Sequence, residues 1–315
     1  MTRYTKIAVA AAISTFALIA AGGLVRATDS GLGCPDWPLC FGKWMPPADL
    51  HAWIEHAHRL IAGVLVVPLV GVVAVMTVFT DRRKDRPLLV ASLVAAAFVL
   101  LQALLGAAVV LLRLAPELVT AHLAMALTVF AALIFIAERS GSGAMPPDRV
   151  QPAATHLCEV TLVLIFAQML VGSWVTGHHA GLVYPDFPLM DGSVVPVVST
   201  GAQLVQFSHR ALSVLVAAAV LVTARSVWRT AATRLTRRLV LTLVVLTLVQ
   251  LTLGALNVWW RLSALTVVPH LGVGAAMFGA SVWMLLAVRR QAPSAAPPAP
   301  ADAETPDRVE AQSSH

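Results

Sequence analysis

The stretch from Leu88 to Leu112 reads LLVASLVAAAFVLLQALLGAAVVLL and contains no charged side chain. A helix needs roughly 20 mostly apolar residues to cross about 30 Å of hydrocarbon, so this stretch predicts a transmembrane helix. Seven further runs of the same character lie on either side of it. The eight predicted spans cover residues 7–27, 57–79, 88–112, 118–137, 157–177, 205–227, 238–259 and 267–288.

The composition of the whole chain agrees with a membrane protein. Of its 315 residues, 58% are apolar and 12% are charged, and the mean hydropathy is +0.80. Soluble domains carry about 45–50% apolar and about 25% charged residues. These figures exclude a soluble enzyme and a disordered chain, and three cysteines are too few for a disulfide-rich secreted module.

The positions of the basic residues explain the formal charge of +6. Lys and Arg cluster in the links after spans two and six and directly after span eight, whereas the alternate links are poor in them. By the positive-inside rule, both termini are predicted to be cytoplasmic in a multi-pass protein of the cell membrane, inner or plasma. The charge therefore marks membrane topology and does not indicate nucleic-acid binding.

Two loops of the chain share one sequence pattern. SGLGCPDWPLCFG (Ser30–Gly42) follows span one, and AGLVYPDFPLMDG (Ala180–Gly192) follows span five at an offset of 150 residues (181 − 31). In addition, QALLGA (Gln102–Ala107) in span three recurs as QLTLGA (Gln250–Ala255) in span seven. This ordered agreement predicts an internal repeat with four spans in each half.

An even number of spans gives both halves the same orientation. The predicted fold is therefore an all-α integral membrane protein of eight transmembrane helices, arranged as two tandem, parallel four-helix bundles. The first span resembles a signal peptide, but its apolar run exceeds the usual 7–15 residues, and the repeat requires it as a retained helix. The predicted organisation is residues 1–140 for the first half, 141–155 for a cytoplasmic linker, 156–290 for the second half and 291–315 for a disordered cytoplasmic tail.

Four histidines occupy repeat-matched positions near the outer ends of the even-numbered spans: His58, His122, His209 and His270. A lone membrane histidine more often hydrogen-bonds a neighbouring helix. Two imidazoles per half at a similar depth instead suit the axial ligands of a haem iron inside a four-helix bundle. Zinc is disfavoured, because no cysteine or carboxylate set accompanies each pair.

Glu55 distinguishes the two halves. It lies three residues before His58, and its counterpart in the second half is Gln206. A carboxylate in one half and its neutral isostere in the other suggest acid–base chemistry at the first site and only a held cofactor at the second. The alternative is an exposed glutamate at the start of a helix, where the helix dipole favours a negative charge.

Two further pairs of residues accompany the histidines. Arg59 and Arg210 each directly follow a matched histidine, either to pair with haem propionates or to reach water from the membrane interface. Cys34 and Cys40 lie in the first outer loop, on the oxidising side, where a disulfide can form as a structural link or a redox centre.

Together these residues resemble the haem A synthase family of bacterial and mitochondrial membranes, over about residues 7–290. The resemblance implies that the C8 methyl group of haem O is oxidised, by successive hydroxylations, to the formyl group of haem A for terminal oxidases. It implies that His209 and His270 hold a haem b cofactor. It also implies that His58 and His122 bind the substrate haem, with Glu55 taking part in catalysis. The expected partners are haem O, the lipid bilayer, haem O synthase and an electron acceptor.

Two other functions fit the same residues. A bis-histidine cytochrome that relays electrons from quinol would hold two permanent haems, and a haem transporter or chaperone would exchange haem at both sites without altering it. The difference between Glu55 and Gln206 speaks against the relay, which needs no chemistry on either haem. A bis-histidine haem also has no open position for dioxygen. Electron removal followed by attack of water is therefore as compatible with the sequence as loss of a ligand.

Overall fold

The computed structural model describes residues 1–141, 151–230 and 233–290, and this part of the chain is helical with connecting loops. Within these ranges eight helices are long and apolar enough to span a membrane, which confirms the predicted class of fold. They are α1 Arg3–Ala27, α2 Leu50–Val78, α3 Arg86–Leu111, α4 Pro116–Gly141, α5 Pro152–Gly177, α6 Gly201–Thr230, α7 Arg234–Trp259 and α8 Ala264–Val288. Most of the predicted linker and all of the predicted tail lie outside the described residues.

The start of α2 differs most from the prediction. The second span was expected from residue 57, whereas α2 starts at Leu50, capped by the Asp49 carboxylate, which accepts a hydrogen bond from Ala52 N–H at 2.9 Å. The first turns of α2 carry polar side chains, including Glu55, that are buried in the protein. A hydropathy pattern cannot detect such turns. Glu55 therefore lies inside a helix, on the same face as His58.

Each half of the described chain forms a ring of four helices. In the first half α1 contacts α2, α2 contacts α3, α3 contacts α4 and α4 returns to α1; α5 to α8 repeat this order. The halves meet where α1 packs on α8 and where α4 packs on both α5 and α8. Helix α8 is the most enclosed, since 61% of its most apolar stretch is buried against 22% in α3 and α6. These contacts support the predicted tandem repeat, which stays a prediction.

Glycines allow the central helices to approach closely. A Cβ at Gly23 of α1 would lie 2.8 Å from Leu271 of α8, and a Cβ at Gly279 of α8 would lie 2.8 Å from Phe130 of α4. Lipid tails are as apolar as leucine, so helices in a membrane associate through such close packing rather than through exclusion of water. The interface between the halves therefore depends on small residues at its centre.

Polar contacts join the halves at both ends. Near one end Glu138 of α4 forms an ion pair with Arg290, which follows α8, and accepts a hydrogen bond from Trp283 Nε1 at 2.9 Å. At the other end Arg26 Nη2 of α1 donates to the Thr176 carbonyl of α5 at 3.0 Å. The two rings are thus held in one register along their axes.

Helix α2 contains a segment that no other span shows within the described residues. From Ile61 to Val66 its backbone adopts the wider π-helical turn, and Pro68 follows at the start of the next α-helical stretch. Proline has no N–H to donate and clashes with the carbonyl four residues earlier, so it favours such a local widening. The corresponding helix of the second half, α6, is a continuous α-helix from Gly201 to Thr230.

Candidate functional site

Two loops with the same internal hydrogen bonds close the end of each helix ring that is predicted to face outward. The Asp36 carboxylate accepts from the N–H groups of Phe41 and Gly42 at 2.6 and 2.7 Å. In the second loop, the matched Asp186 carboxylate accepts from the N–H groups of Asp191 and Gly192, both at 2.9 Å. The N–H groups of Gly42 and Phe41 hold the pKa of the Asp36 carboxyl below its usual value. Both loops are therefore closed by an ionised aspartate.

Each loop is anchored to the helix that follows it by the arginine next to the matched histidine. Arg59 of α2 donates to the backbone carbonyls of Cys34, Asp36 and Leu39 at 2.8–3.0 Å. In the second half, Arg210 of α6 repeats these bonds on Tyr184, Asp186 and Leu189 at 2.9–3.0 Å. One guanidinium thus satisfies three loop carbonyls, an arrangement suited to its fixed fork of donors.

These bonds bear on the predicted role of the two arginines. Arg59 and Arg210 direct both terminal nitrogens of their guanidinium groups into the loops. The geometry shows that both arginines anchor the loops. This role was not among the two predicted from the sequence, which were pairing with haem propionates and reaching water from the membrane interface. It offers no support for pairing with haem propionates, which stays a prediction.

The Glu55 carboxylate lies at the junction of the first loop and α2. Its Oε2 accepts a hydrogen bond from Cys34 N–H at 2.8 Å, and its Oε1 forms an ion pair with Arg59. Only 4% of the residue is exposed. The alternative of a solvent-exposed glutamate at the helix start is therefore wrong. Burial of a charge is costly unless hydrogen-bond and ion-pair partners of this kind hold it.

The second half keeps the shape of this junction without its charge. Gln206 is also buried, and its Nε2 donates to the Gly181 carbonyl at 3.3 Å. Its Oε1 has no hydrogen-bond partner among the described residues. A carboxamide does not ionise near neutral pH, so only the first half places an ionisable group here.

The predicted cysteine pair is bonded. Cys34 and Cys40 form a disulfide with Cα atoms 4.7 Å apart, and both are fully buried beneath α2. Because the N–H of Cys34 bonds Glu55 and its carbonyl bonds Arg59, the disulfide lies directly beside the candidate acid–base group.

The four matched histidines lie on diagonal helices of the two rings. His58 and His122 lie on α2 and α4, and His209 and His270 lie on α6 and α8. All four side chains are half-buried. The rings of His209 and His270 are edge to face, with centroids 6.5 Å apart. The structure thus brings His209 and His270 together, and it places His58 and His122 on the equivalent helices of the first half.

Every one of these imidazoles packs against a glycine of the preceding helix. A Cβ added to the glycine would approach the ring Cε1 to within 3.0–3.5 Å, in the pairs Gly22–His58, Gly106–His122, Gly172–His209 and Gly254–His270. These glycines belong to no motif that the sequence alone marks as functional. Their constant spacing between the halves (172 − 22 = 150) was the signal that could have identified the first and third.

Three glutamines of neighbouring helices contact the matched histidines. Gln102 Nε2 donates to the backbone carbonyl of His122 at 2.9 Å. Gln250 Nε2 lies 3.4 Å from Nε2 of His270. Gln168 Nε2 lies 3.2 Å from Nδ1 of His209. The rings of His209 and His270 therefore have a polar neighbour as well as a close glycine, and the His122 backbone is held by an amide.

The residues fit a haem better than a bare metal ion. Two metal–nitrogen bonds of about 2 Å place the two nitrogens about 4 Å apart. The centres of the two rings are then roughly 2 Å further apart than the nitrogens. This separation is close to that of the His209 and His270 rings. Among the described residues no three His, Cys, Asp or Glu side chains converge. Among the residues that the structure describes, the buried Nδ1 atoms of His58, His122 and His270 have no hydrogen-bond partner, which is unusual outside functional sites.

Comparison with known proteins gives a consistent result. A family model described as cytochrome oxidase assembly protein (COX15-CtaA) matches residues 5–52 and 48–282. Proteins named Heme A synthase are similar to this chain. The one from Caulobacter vibrioides is 32% identical, over 67% of this chain and 74% of the relative. The one from Wolbachia pipientis is 26% identical over 88% and 90%.

A third relative, the Heme A synthase of Shewanella oneidensis, is 27% identical, and the match spans 58% of this chain and 59% of that relative. The family model extends over all eight helices, including both outer loops and all four matched histidines. The helical membrane fold, the paired histidines and this match lead to one conclusion: the chain belongs to the COX15-CtaA family of cytochrome oxidase assembly proteins.

Proposed function

We propose that the chain is a haem A synthase, which oxidises the C8 methyl group of haem O to a formyl group. Conversion of a methyl group and one water molecule to a formyl group releases four protons and four electrons, so the reaction needs a proton acceptor and an electron acceptor. The proposal is supported by membership of the family and by relatives named Heme A synthase. The relay and transporter alternatives gain no support from these relatives.

The Glu55 junction is the observation that carries the proposal. It places a buried carboxylate one helical turn before His58, held by the Cys34 N–H and by Arg59. A buried carboxylate with defined partners can take up a proton as the substrate is oxidised. The matched residue of the other half, Gln206, cannot do so. We therefore assign the oxidation to the first half and to Glu55 the role of proton acceptor.

The two histidine pairs then have separate tasks. His58 and His122 bind the iron of the substrate haem near Glu55. His209 and His270 hold a haem b cofactor, which supplies one-electron transfer when bound. The positive-inside rule places both termini in the cytoplasm and both haem sites near the outer face of the cell membrane. Haem O synthase is the expected source of substrate, and a separate electron acceptor completes the reaction.

The origin of the new oxygen atom distinguishes two routes. If dioxygen is the source, one imidazole must leave the substrate iron to open a position. If water is the source, it attacks after electrons are removed and Glu55 accepts its proton. Turnover in H₂¹⁸O and under ¹⁸O₂, with mass analysis of the hydroxymethyl product, assigns the source directly.

Extraction of the pigments from purified protein tests the function itself. We expect haem b together with haem O, a hydroxylated haem or haem A. Two equivalent haem b groups and no modified haem would indicate an electron relay. Exchange of unaltered haem at both sites would indicate a transporter. Either result would overturn the proposed function.

A further inference from the structure

The two halves differ in what holds the first histidine of each pair. In the second half, Gln168 of α5 lies one turn before Gly172, the glycine that faces His209. Its Nε2 is 3.2 Å from His209 Nδ1 and donates to the His209 backbone carbonyl at 3.1 Å. Both the ring and the backbone of this histidine are therefore tied to α5.

The first half has no such group at the matched position. Counting back by the repeat offset from Gln168 leads to Leu18 (168 − 150), one turn before Gly22, the glycine that faces His58. Leucine offers no hydrogen bond, and Nδ1 of His58 is buried with no partner among the described residues. By contrast, Gln102 and Gln250 recur in both halves and do not distinguish them.

A second difference lies in the helices that carry these histidines. His58 lies directly before the π-helical turn that starts at Ile61, whereas His209 lies in a continuous α-helix. The π-helical turn interrupts the regular α-helical ladder immediately beyond His58. Thus His58 lacks both the side-chain restraint and the uninterrupted helix that hold His209.

We propose that Gln168 is a positioning residue that makes His209 a permanent haem ligand, and that Leu18 leaves His58 as the exchangeable ligand of the pair. This inference rests on the proposed function, because a cofactor must stay while a substrate enters and its product leaves. An imidazole that binds iron through Nε2 carries its proton on Nδ1 and needs an acceptor there. The Oε1 of Gln168 is buried without a partner. A half-turn of the amide brings this oxygen to Nδ1 in place of Nε2, so that the bond to the ring replaces the bond to the His209 carbonyl.

Such a hydrogen bond from outside the ligand set fixes the orientation of the ring and raises its basicity. A stronger ligand favours the oxidised iron and slows dissociation of the haem. Without one, the ring of His58 can turn away from the iron at lower cost. The single difference between Leu18 and Gln168 therefore suits the different lifetimes required at the two sites.

Exchange of the two side chains tests the inference in the purified full-length protein. In Gln168→Leu, the affinity for haem b should fall by about 10–100-fold, the usual effect of losing such a partner, and its reduction potential should rise. Gln168→Glu retains an acceptor, so it should restore retention and lower the potential. In Leu18→Gln, the rate at which haem O leaves the first site should fall at least several-fold, whereas Leu18→Met, which alters packing alone, should leave this rate unchanged.

The readouts separate failure of the inference from failure of the proposed function. A wild-type protein without low-spin haem b, or with haem at both sites equally fixed, would contradict the function before any variant is made. If haem b is present but Gln168→Leu retains it with an unchanged affinity and reduction potential, the inference alone is wrong. If Gln168→Leu does not fold, the Leu18→Gln variant tests the inference by the rate at which haem O leaves the first site. An unchanged rate overturns the inference.

Discussion

The two outer loops share one backbone design but differ in chemistry. In each, an aspartate closes the turn and the arginine after a matched histidine binds three carbonyls. The first loop adds a disulfide and contacts an ionisable glutamate. The second has neither, and its Tyr184 and Met190 fill the space of the two cysteines as buried side chains. The scaffold is thus kept in both halves, while the reactive groups are confined to one.

Under the proposed function, this difference separates features that serve the scaffold from features that we assign to the reaction. Features present in both halves, such as the glycines that face the imidazoles, are explained by the binding of haem alone. Features present only in the first half, chiefly Glu55 and the π-helical segment of α2, require an additional explanation. The following variants test that division, beginning with the largest expected effect.

Removal of single histidines should separate the halves most clearly. His209→Ala or His270→Ala should abolish stoichiometric low-spin haem b, because each supplies one axial bond that water replaces poorly. His58→Ala and His122→Ala should retain most haem b and lose turnover. Absorption spectra of the purified variants measure haem b, and extraction of haems measures turnover. An equal loss of haem b in all four variants would contradict the division of tasks.

Glu55→Gln should convert the first junction into a copy of the second. The variant keeps shape and hydrogen-bonding capacity but cannot accept a proton, so the rate should fall by about 10²–10⁴-fold while haem b and haem O still bind. Single-turnover assays with haem O measure this loss. The control is Glu117→Gln, which changes an exposed glutamate in the first turn of α4. This variant should leave the rate of haem A production unchanged. Near-normal haem A production by a folded Glu55→Gln protein would remove Glu55 from the mechanism.

Gly172→Ala should weaken one site and leave the other intact. The added Cβ would lie 3.0 Å from Cε1 of His209, so the ring must shift and haem b affinity should fall by about tenfold. Gly106→Ala imposes the same crowding on His122 at 3.1 Å and should impair binding of haem O instead. Haem titration of both variants measures the effect.

The control for these glycines is Gly71→Ala, where no atom lies within 4 Å of the added Cβ. Alanine is favoured over glycine in a helix by about 1 kcal/mol, so this variant should be neutral or slightly more stable. If Gly172→Ala behaves like Gly71→Ala, the close packing of His209 has no role in haem binding.

Loss of the disulfide should have the smallest effect on the fold. In the loop-entropy model, closing so short a loop restricts the unfolded chain by roughly 2–3 kcal/mol at most, and Asp36 and Arg59 still hold the loop. The Cys34→Ser/Cys40→Ser protein should therefore retain its helices and haem b, with any change confined to the Glu55 junction. Thermal unfolding and haem content measure this. Loss of haem b from the second half would show that the first loop supports both sites.

The sequence by itself determined the parts of the molecule that depend on local properties. Apolar runs specify the eight helices, because a backbone in lipid must satisfy its own hydrogen bonds. The repeat pairs the histidines and isolates Glu55, since it compares residue types at equivalent positions. The start of α2 was the exception, because burial of polar residues hides the first turns of this helix from a hydropathy pattern.

Only the tertiary structure decided the partners of these residues. The loop carbonyls of Arg59, the Cys34 N–H that holds Glu55 and the glycines that face the imidazoles lie on other segments of the chain. The same is true of Gln168, whose contact with His209 joins two helices. Helical periodicity shows which face of a helix is apolar, but it does not specify which residue of a neighbouring helix will lie opposite. That depends on the distance and register at which helices pack, which the central glycines and the ring order of each half establish together.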